Sequence, residues 1–351
     1  MDGFDHYGTI ANLLAGVYAE YLTSGATLSL ATTNPRTGAY ALRATGLSTS
    51  PGLFWRRVLG GARTGVGQAL GYCIAALPTA NDALAPIVFR TGTNLAQVLV
   101  IVQSTGAIAV RQSSATGTLL GQTAGPVIFA GAYQYIEAFV NCHSSTGSVE
   151  VRVDGVTVLD ISGVNTNPRA TGEISQVSSE KLQTGAAACA PIDMDDLWCW
   201  NDLGSYNNDF PGNTRVGLAL LDADTAITDW TRNTGATDFA ATTQIPPDGD
   251  TTYIEAAAAG NVSEFGIADA PGSVTAIKAL QTCLMMKKTD AGASQVQAAM
   301  VSGASVANGA DRPITTTYTY WPDIFETDPA TGAPWTPAGF NAAKLRLTRT
   351  V

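Results

Sequence analysis

Charge is the first thing this chain lacks: Asp, Glu, Lys and Arg make up 14% of its 351 residues, against about 25% in an ordinary soluble protein. None of its five lysines follows a glycine, so no phosphate-binding Gly-Lys-Ser/Thr loop exists. Its two histidines, His6 and His143, exclude an HExxH zinc site by their spacing alone. No GxSxG elbow occurs. GxGxxG is missed as well, because Gly65-Val66-Gly67 meets its next glycine one position late, at Gly71. The five cysteines never form CxxC and read as small buried hydrophobes of a reducing compartment. No apolar run approaches the ~18 residues of a membrane span. The start, Met1-Asp2-Gly3-Phe4-Asp5-His6, is acidic where a signal peptide is basic. The expectation is a soluble protein made in the cytoplasm, with no signal peptide and no membrane insertion.

What charge there is leans acidic: 19 Lys and Arg against 29 Asp and Glu give −10. Before Ser205 the balance is 10 basic to 14 acidic, or −4, and after it 9 to 15, or −6. Neither half carries the basic footprint that duplex binding requires, so no nucleic-acid partner is expected. Ala, Gly, Thr, Ser and Asn replace the missing charge. The resulting surface is neutral and hydroxyl-rich, of the kind found where copies pack side by side or meet glycans.

The patterning that is present has period two. Val149-Glu150-Val151-Arg152-Val153 puts three valines on one face, Asp154-Gly155 supplies a two-residue turn, and Val156-Thr157-Val158-Leu159 returns. Tyr133–Val140, Leu95–Val102 and Ala107–Val110 are further strand candidates, followed by Ser273–Met286 and Ile314–Tyr320 in the second half. Ile10, Leu13, Leu14, Val17, Tyr18 and Tyr21 recur near helical spacing and predict one short N-terminal helix within Tyr7–Tyr21. Turn-forming residues crowd Leu203–Asn213, which places a boundary there. The fold class predicted is all-β: two β-sandwich domains in series, residues 1–205 and 206–351.

Few residues stand out as chemistry. Asp193 and Asp195 lie two apart on a strand candidate, with Asp196 beside them, and share a face. That spacing suits a calcium ion, general acid/base work, or carboxylates that bond loop backbone at a strand end. Cys142-His143 cannot pair on a strand, where neighbours point to opposite faces. No glutamate starts the Glu-x-Asp-x-x-Glu spacing of sandwich glycosidases. The chain is therefore expected not to be an enzyme and to need no cofactor. Trp321, Trp335 and Tyr320 sit in turn-rich surroundings and are the carbohydrate-binding candidates, since exposed rings stack on sugars. Trp198, Trp200 and Trp230 could equally fill cores.

The order of these features carries a resemblance. Phe4-Asp5-His6-Tyr7 and Asn34-Pro35-Arg36-Thr37-Gly38-Ala39-Tyr40-Ala41-Leu42-Arg43, then the Tyr135 strand, the Val149–Leu159 hairpin and Ile192-Asp193-Met194-Asp195-Asp196-Leu197, resemble a concanavalin A-like (laminin G-like) jelly roll. With Asn207–Gly212, Arg215-Val216, Trp230-Thr231, Pro247–Tyr253 and Asp328–Thr336, the whole chain resembles a group of tailed-bacteriophage virion proteins. The resemblance implies a virion-surface structural component, on tail or head, acting through assembly interfaces with other virion proteins. It also implies a homo-oligomer, with trimers common among such appendages. The alternative is a tail-fibre or head-fibre adhesin that binds host-surface polysaccharide, and behind it a polysaccharide depolymerase. Calcium is the ion that laminin G-like domains often hold.

Overall fold

The computed structural model describes residues 1–14, 18, 20–22, 27–46, 52–81, 83–182 and 189–351. Strands dominate, and the chain folds into two compact units. The first contains Met1–Asp5, Thr9–Leu14 and Tyr18–Gly217; the second contains His6–Gly8 and Leu218–Val351. Residues 206–217 thus fold with the first unit, downstream of the boundary expected at 205.

In the first unit the strands are β1 (Glu20–Leu22), β2 (Thr27–Ala31), β3 (Ala41–Thr45), β4 (Gly52–Arg63), β5 (Gly65–Ile74), β6 (Leu84–Arg90) and β7 (Ala96–Val102). They continue with β8 (Ile108–Gln112), β9 (Leu119–Gln122), β10 (Tyr133–Asn141), β11 (Gly147–Val153), β12 (Val156–Val164), β13 (Ile174–Lys181) and β14 (Ile192–Asn201). Two seven-stranded antiparallel sheets result, ordered β1-β4-β13-β6-β7-β8-β9 and β12-β11-β10-β5-β14-β3-β2. This is a jelly-roll sandwich. The near-continuous apolar run of β7 is buried along its whole length, as a strand covered on both faces must be.

The Val149 hairpin forms as its sequence dictates. Val153 pairs with Val156, and Asp154 and Gly155 take φ of 51° and 81°, the left-handed pair that a tight hairpin needs. The N-terminal helix is shorter than its periodicity suggests. It spans Ile10–Leu14, with the Asn12 amide donating to Thr9 Oγ1, whereas Glu20–Leu22 pairs with β4 instead. Sheet pairing overrides helical spacing there, and residues 15–17 and 19 lie outside the described ones.

The second unit holds β15 (Leu221–Thr228), β16 (Thr231–Arg232), β17 (Ile254–Glu255), β18 (Val262–Ile267), β19 (Leu280–Met286), β20 (Gln295–Ser302), β21 (Ser305–Asn308), β22 (Arg312–Pro313), β23 (Thr319–Phe325) and β24 (Lys344–Arg349). Its main sheet runs β15-β18-β24-β20-β21, with β22 also on β20; β19 pairs with β23 and β16 with β17. Phe265, Met300, Leu345 and Leu347 of the main sheet pack with Phe325, Trp335 and Phe340 in one core. Phe340 comes from a second short helix, Pro337–Asn341, which Thr336 caps by accepting from the Gly339 amide and Pro337 starts at N1. Strand candidates are displaced here: Ser273–Met286 is extended only over β19, and Ile314–Tyr320 gives way to β23.

Candidate functional site

The densest set of charged and aromatic side chains lies on the outer face of the β12-to-β2 sheet. Its central strand, β5, alternates large Val66, Gln68, Leu70, Tyr72 and Ile74 with small Gly65, Gly67, Ala69, Gly71 and Cys73. The pleat sends the large set to the core and the small set outward. Strand register places walls on both sides of this low floor. Asp193, Cys73 and Tyr133 form one row, with Arg43 beside Asp193; Asp195, Gly71 and Tyr135 form the next. Below them run Trp198, Ala69, Glu137 and Arg152, then Trp200, Gly67, Phe139 and Glu150. The face is a groove floored by glycine and alanine.

The chain fills this groove with its own residues. Arg36 lies across Gly71, where a Cβ would come 2.5 Å from its Cδ, and its guanidinium sits 4.6 Å from the centre of the Tyr135 ring. That guanidinium donates to the Asp196 carboxylate, to Asn213 Oδ1 and to the Thr214 carbonyl (2.8 Å). Phe210 meets Trp200 edge-on at 5.4 Å and carries the Arg152 guanidinium 3.8 Å above its ring. The Gly212 amide donates to Glu137 Oε1 (2.8 Å), and the Val216 amide to Asp196 Oδ1 (2.7 Å). Residues 210–216 are a strap over the groove.

Asp193 and Asp195 do share a face, but their oxygens are taken. Asp193 receives Arg43 through Nε (2.6 Å) and Nη2 (2.8 Å), and Asn34 Nδ2 (2.9 Å). Asp195 accepts the amides of Arg36 (2.8 Å), Thr37 (3.0 Å) and Asp196 (2.7 Å). Among the described residues no three His, Cys, Asp or Glu side chains are grouped to hold a metal. These carboxylates fasten the 34–37 loop to the sheet, so the geometry gives the calcium expectation no support.

Burial, and then the adjacent Asp196, pushes the Asp195 carboxyl up to about 8. Burial also raises Glu137 and Asp5. Between about pH 4, where unfolded carboxyls ionise, and about pH 8, the folded unit holds protons that the unfolded chain has released, so its stability falls as pH rises. Glu264 of the second unit has the opposite sign. Burial raises it, but bonds from Arg346 and Lys344 outweigh that and hold it below its ordinary value, so its contribution is lost on acidification. Calorimetry should therefore find the first unit melting higher at about pH 5 than at about pH 8, and Asp195→Asn should flatten that dependence.

The three expected sugar-binding residues do not form a platform. Tyr320 and Trp335 are each only 3% exposed. Trp335 sits in the second core with Nε1 donating to the Phe325 carbonyl (3.0 Å), and Tyr320 packs edge-on against Tyr7. Trp321 is half-buried, with the Arg312 guanidinium 5.5 Å from its ring. Turn-rich sequence around Trp335 suggested exposure; the indole instead closes a core. Cys142 is buried, and burial raises its thiol to about 11, far from a thiolate at neutral pH. What the second unit does expose is a cavity of about 410 Å³ at the Trp230-Thr231 element. Thr228, Trp230, Thr231, Asn233 and Thr234 line it, with the Arg232–Asp238 ion pair (2.8 Å) at its side.

No family model matches the chain, and no curated protein matches it. Solved structures do. A cellulose-induced protein, Cip1, is similar at 16% identity and a TM-score of 0.39, covering 56% of this chain and 90% of its own. The carbohydrate-binding module CBM66 from Bacillus subtilis is similar at 10% identity and a TM-score of 0.31, covering 51% of this chain and 96% of that one. Alginate lyase vAL-1 from Chlorella virus is similar at 10% identity and a TM-score of 0.38, covering 52% of this chain and 98% of that one. The expectation that the chain is not an enzyme is corrected by this, since alginate lyases are among the similar structures. At these TM-scores the likeness assigns no activity.

Proposed function

We propose that this chain is an attachment protein that binds a neutral polysaccharide of a host surface. The observation that carries this reading is the open cavity of the second unit. The Thr231 and Thr234 hydroxyls, with the Arg232–Asp238 ion pair beside them, offer the donors and acceptors that sugar hydroxyls need, while Trp230 closes the core behind them and Asn233 is bonded to Thr251 and Tyr253. A protein of net charge −10 repels a polyanion at long range, which favours neutral glycans over uronates.

Binding is tested by calorimetry of the full chain against neutral and anionic polysaccharides. A neutral glycan should bind, and Thr231→Ala/Thr234→Ala should weaken it about tenfold, as the loss of one or two hydrogen bonds predicts. No binding to any neutral glycan overturns the reading, and release of new chain ends by the wild-type protein replaces it with depolymerisation. That the protein sits on a phage or phage-derived particle, as a homo-oligomer among other virion proteins, rests on the sequence resemblance. Immunogold label on tail or head supports that placement, and unlabelled particles overturn it.

A further inference from the structure

The strap is held by the groove and by no strand ladder. Residues 210–216 belong to no β-strand, yet they seat an aromatic ring, two amides, a carbonyl and a side-chain oxygen on the sheet below. The groove needs such an occupant. Glu137 and Asp196 are fully buried beneath it, and one Glu137 oxygen already lacks a hydrogen-bond partner. Lifting the strap would leave Phe139 and Trp200 facing water. In the polypeptide leading into the strap, Leu203 is 58% exposed and residues 202–209 belong to no β-strand. That stretch can swing without breaking a single strand pair. The strap ends at Val216, one residue before Gly217, the last of the first unit.

We infer that the strap and its groove are an exchangeable docking pair, through which one copy of this chain accepts residues 210–216 of a second copy. Each contact that seats the strap within a chain is equally available from a neighbour, so exchange replaces every strap contact by an identical one, with residues 202–209 and the link into the second unit at Leu218 carrying the displacement. Which strap wins depends on concentration. A short tether holds its own strap at an effective concentration on the order of millimolar, and crowding of copies to similar densities lets neighbours compete. The ligand of this groove is a peptide with the pattern Phe-Pro-Gly-Asn-Thr-Arg-Val, turned at Gly212, which takes φ 74°, with the Thr214 hydroxyl donating to the Pro211 carbonyl.

The test uses a fluorescent peptide of residues 209–217 added to the full-length protein. The strap of one sample is weakened by Phe210→Ala/Asn213→Ala and that of another by Phe210→Ala alone. Far-UV circular dichroism and limited proteolysis report on folding and on strap release. The peptide should bind the weakened chains at least tenfold tighter than wild type, a peptide carrying Phe210→Ala should not bind, and proteolysis should fall within 202–217. Two differently tagged wild-type samples, concentrated together, should co-purify. A strap that stays uncut in both variants, or a released strap whose groove ignores the peptide, overturns the inference.

Discussion

Gly67→Val is expected to destabilise the first unit by about 3 kcal/mol, the upper end for forcing extra atoms into a packed site. For a domain of roughly 150–250 residues, that lowers the melting temperature by about 6–12 °C. The cause is local. The indole of Trp200 lies flat over Gly67, and a Cβ there would fall within its ring. Trp200 must then leave its contacts with Phe139 and Phe210, which also loosens the strap. Gly125→Ala is the control: nothing lies within 4 Å of its added Cβ, and the change should stay within about 0.5 kcal/mol. Equal shifts for both glycines in calorimetry would refute the packing account.

Arg36→Leu should cost about 3–5 kcal/mol, since it leaves the wholly buried Asp196 carboxylate without its ion-pair partner. Arg215 stands 3.9 Å from Asp196, but its side chain is 54% exposed and adds little. Arg36→Lys should recover only part of the loss. A single ammonium cannot reach Asp196, Asn213 and the Thr214 carbonyl in the fixed fork that the guanidinium provides. Arg36→Leu/Asp196→Asn should recover most of it, because the buried charge is then gone. Urea unfolding of the wild type, Arg36→Leu, Asp196→Asn and the double variant gives the coupling energy directly. A coupling near zero would mean that the pair is not held as described.

Alternation made part of this architecture legible. The Asp154-Gly155 turn and the valine face of β11 follow from local geometry alone. The groove was hidden because β5 alternates by size rather than by polarity. Both of its faces are dry, so Gly65, Gly67 and Gly71 looked like a failed nucleotide motif when Gly67 lets Trp200 lie flat, Gly71 does the same for Arg36 and Gly65 makes room for Asp202. Arg36 and Glu137 carried no signal that a sequence can show, since their partners are 160 and 75 residues away. Trp335 misled for a related reason. Its neighbours are turn-formers, but the short helix that follows folds back and places Phe340 in the same core. The helical spacing of Tyr7–Tyr21 divided between two destinations, Tyr7 against Tyr320 and Tyr18 on Asp2 and Trp55.

The irregularity in β14 has a consequence for tolerance to insertion and deletion. Asp195 pairs with Gly71 and Trp198 with Ala69, so this strand spends three residues where its neighbour spends two, and Asp196 takes φ 50°. The surplus residue changes the phase of the strand. Met194 and Leu197 both face the space between the two sheets at a spacing of three, while Trp198 and Trp200 stay on the opposite face, buried there. Asp196 is thus additional to the ladder although it anchors Arg36. Shortening the chain by that one residue would restore a regular pairing and leave both tryptophans on their present side. Adding one residue elsewhere in β14, with the surplus at Asp196 kept, would turn every later residue of the strand to the opposite face.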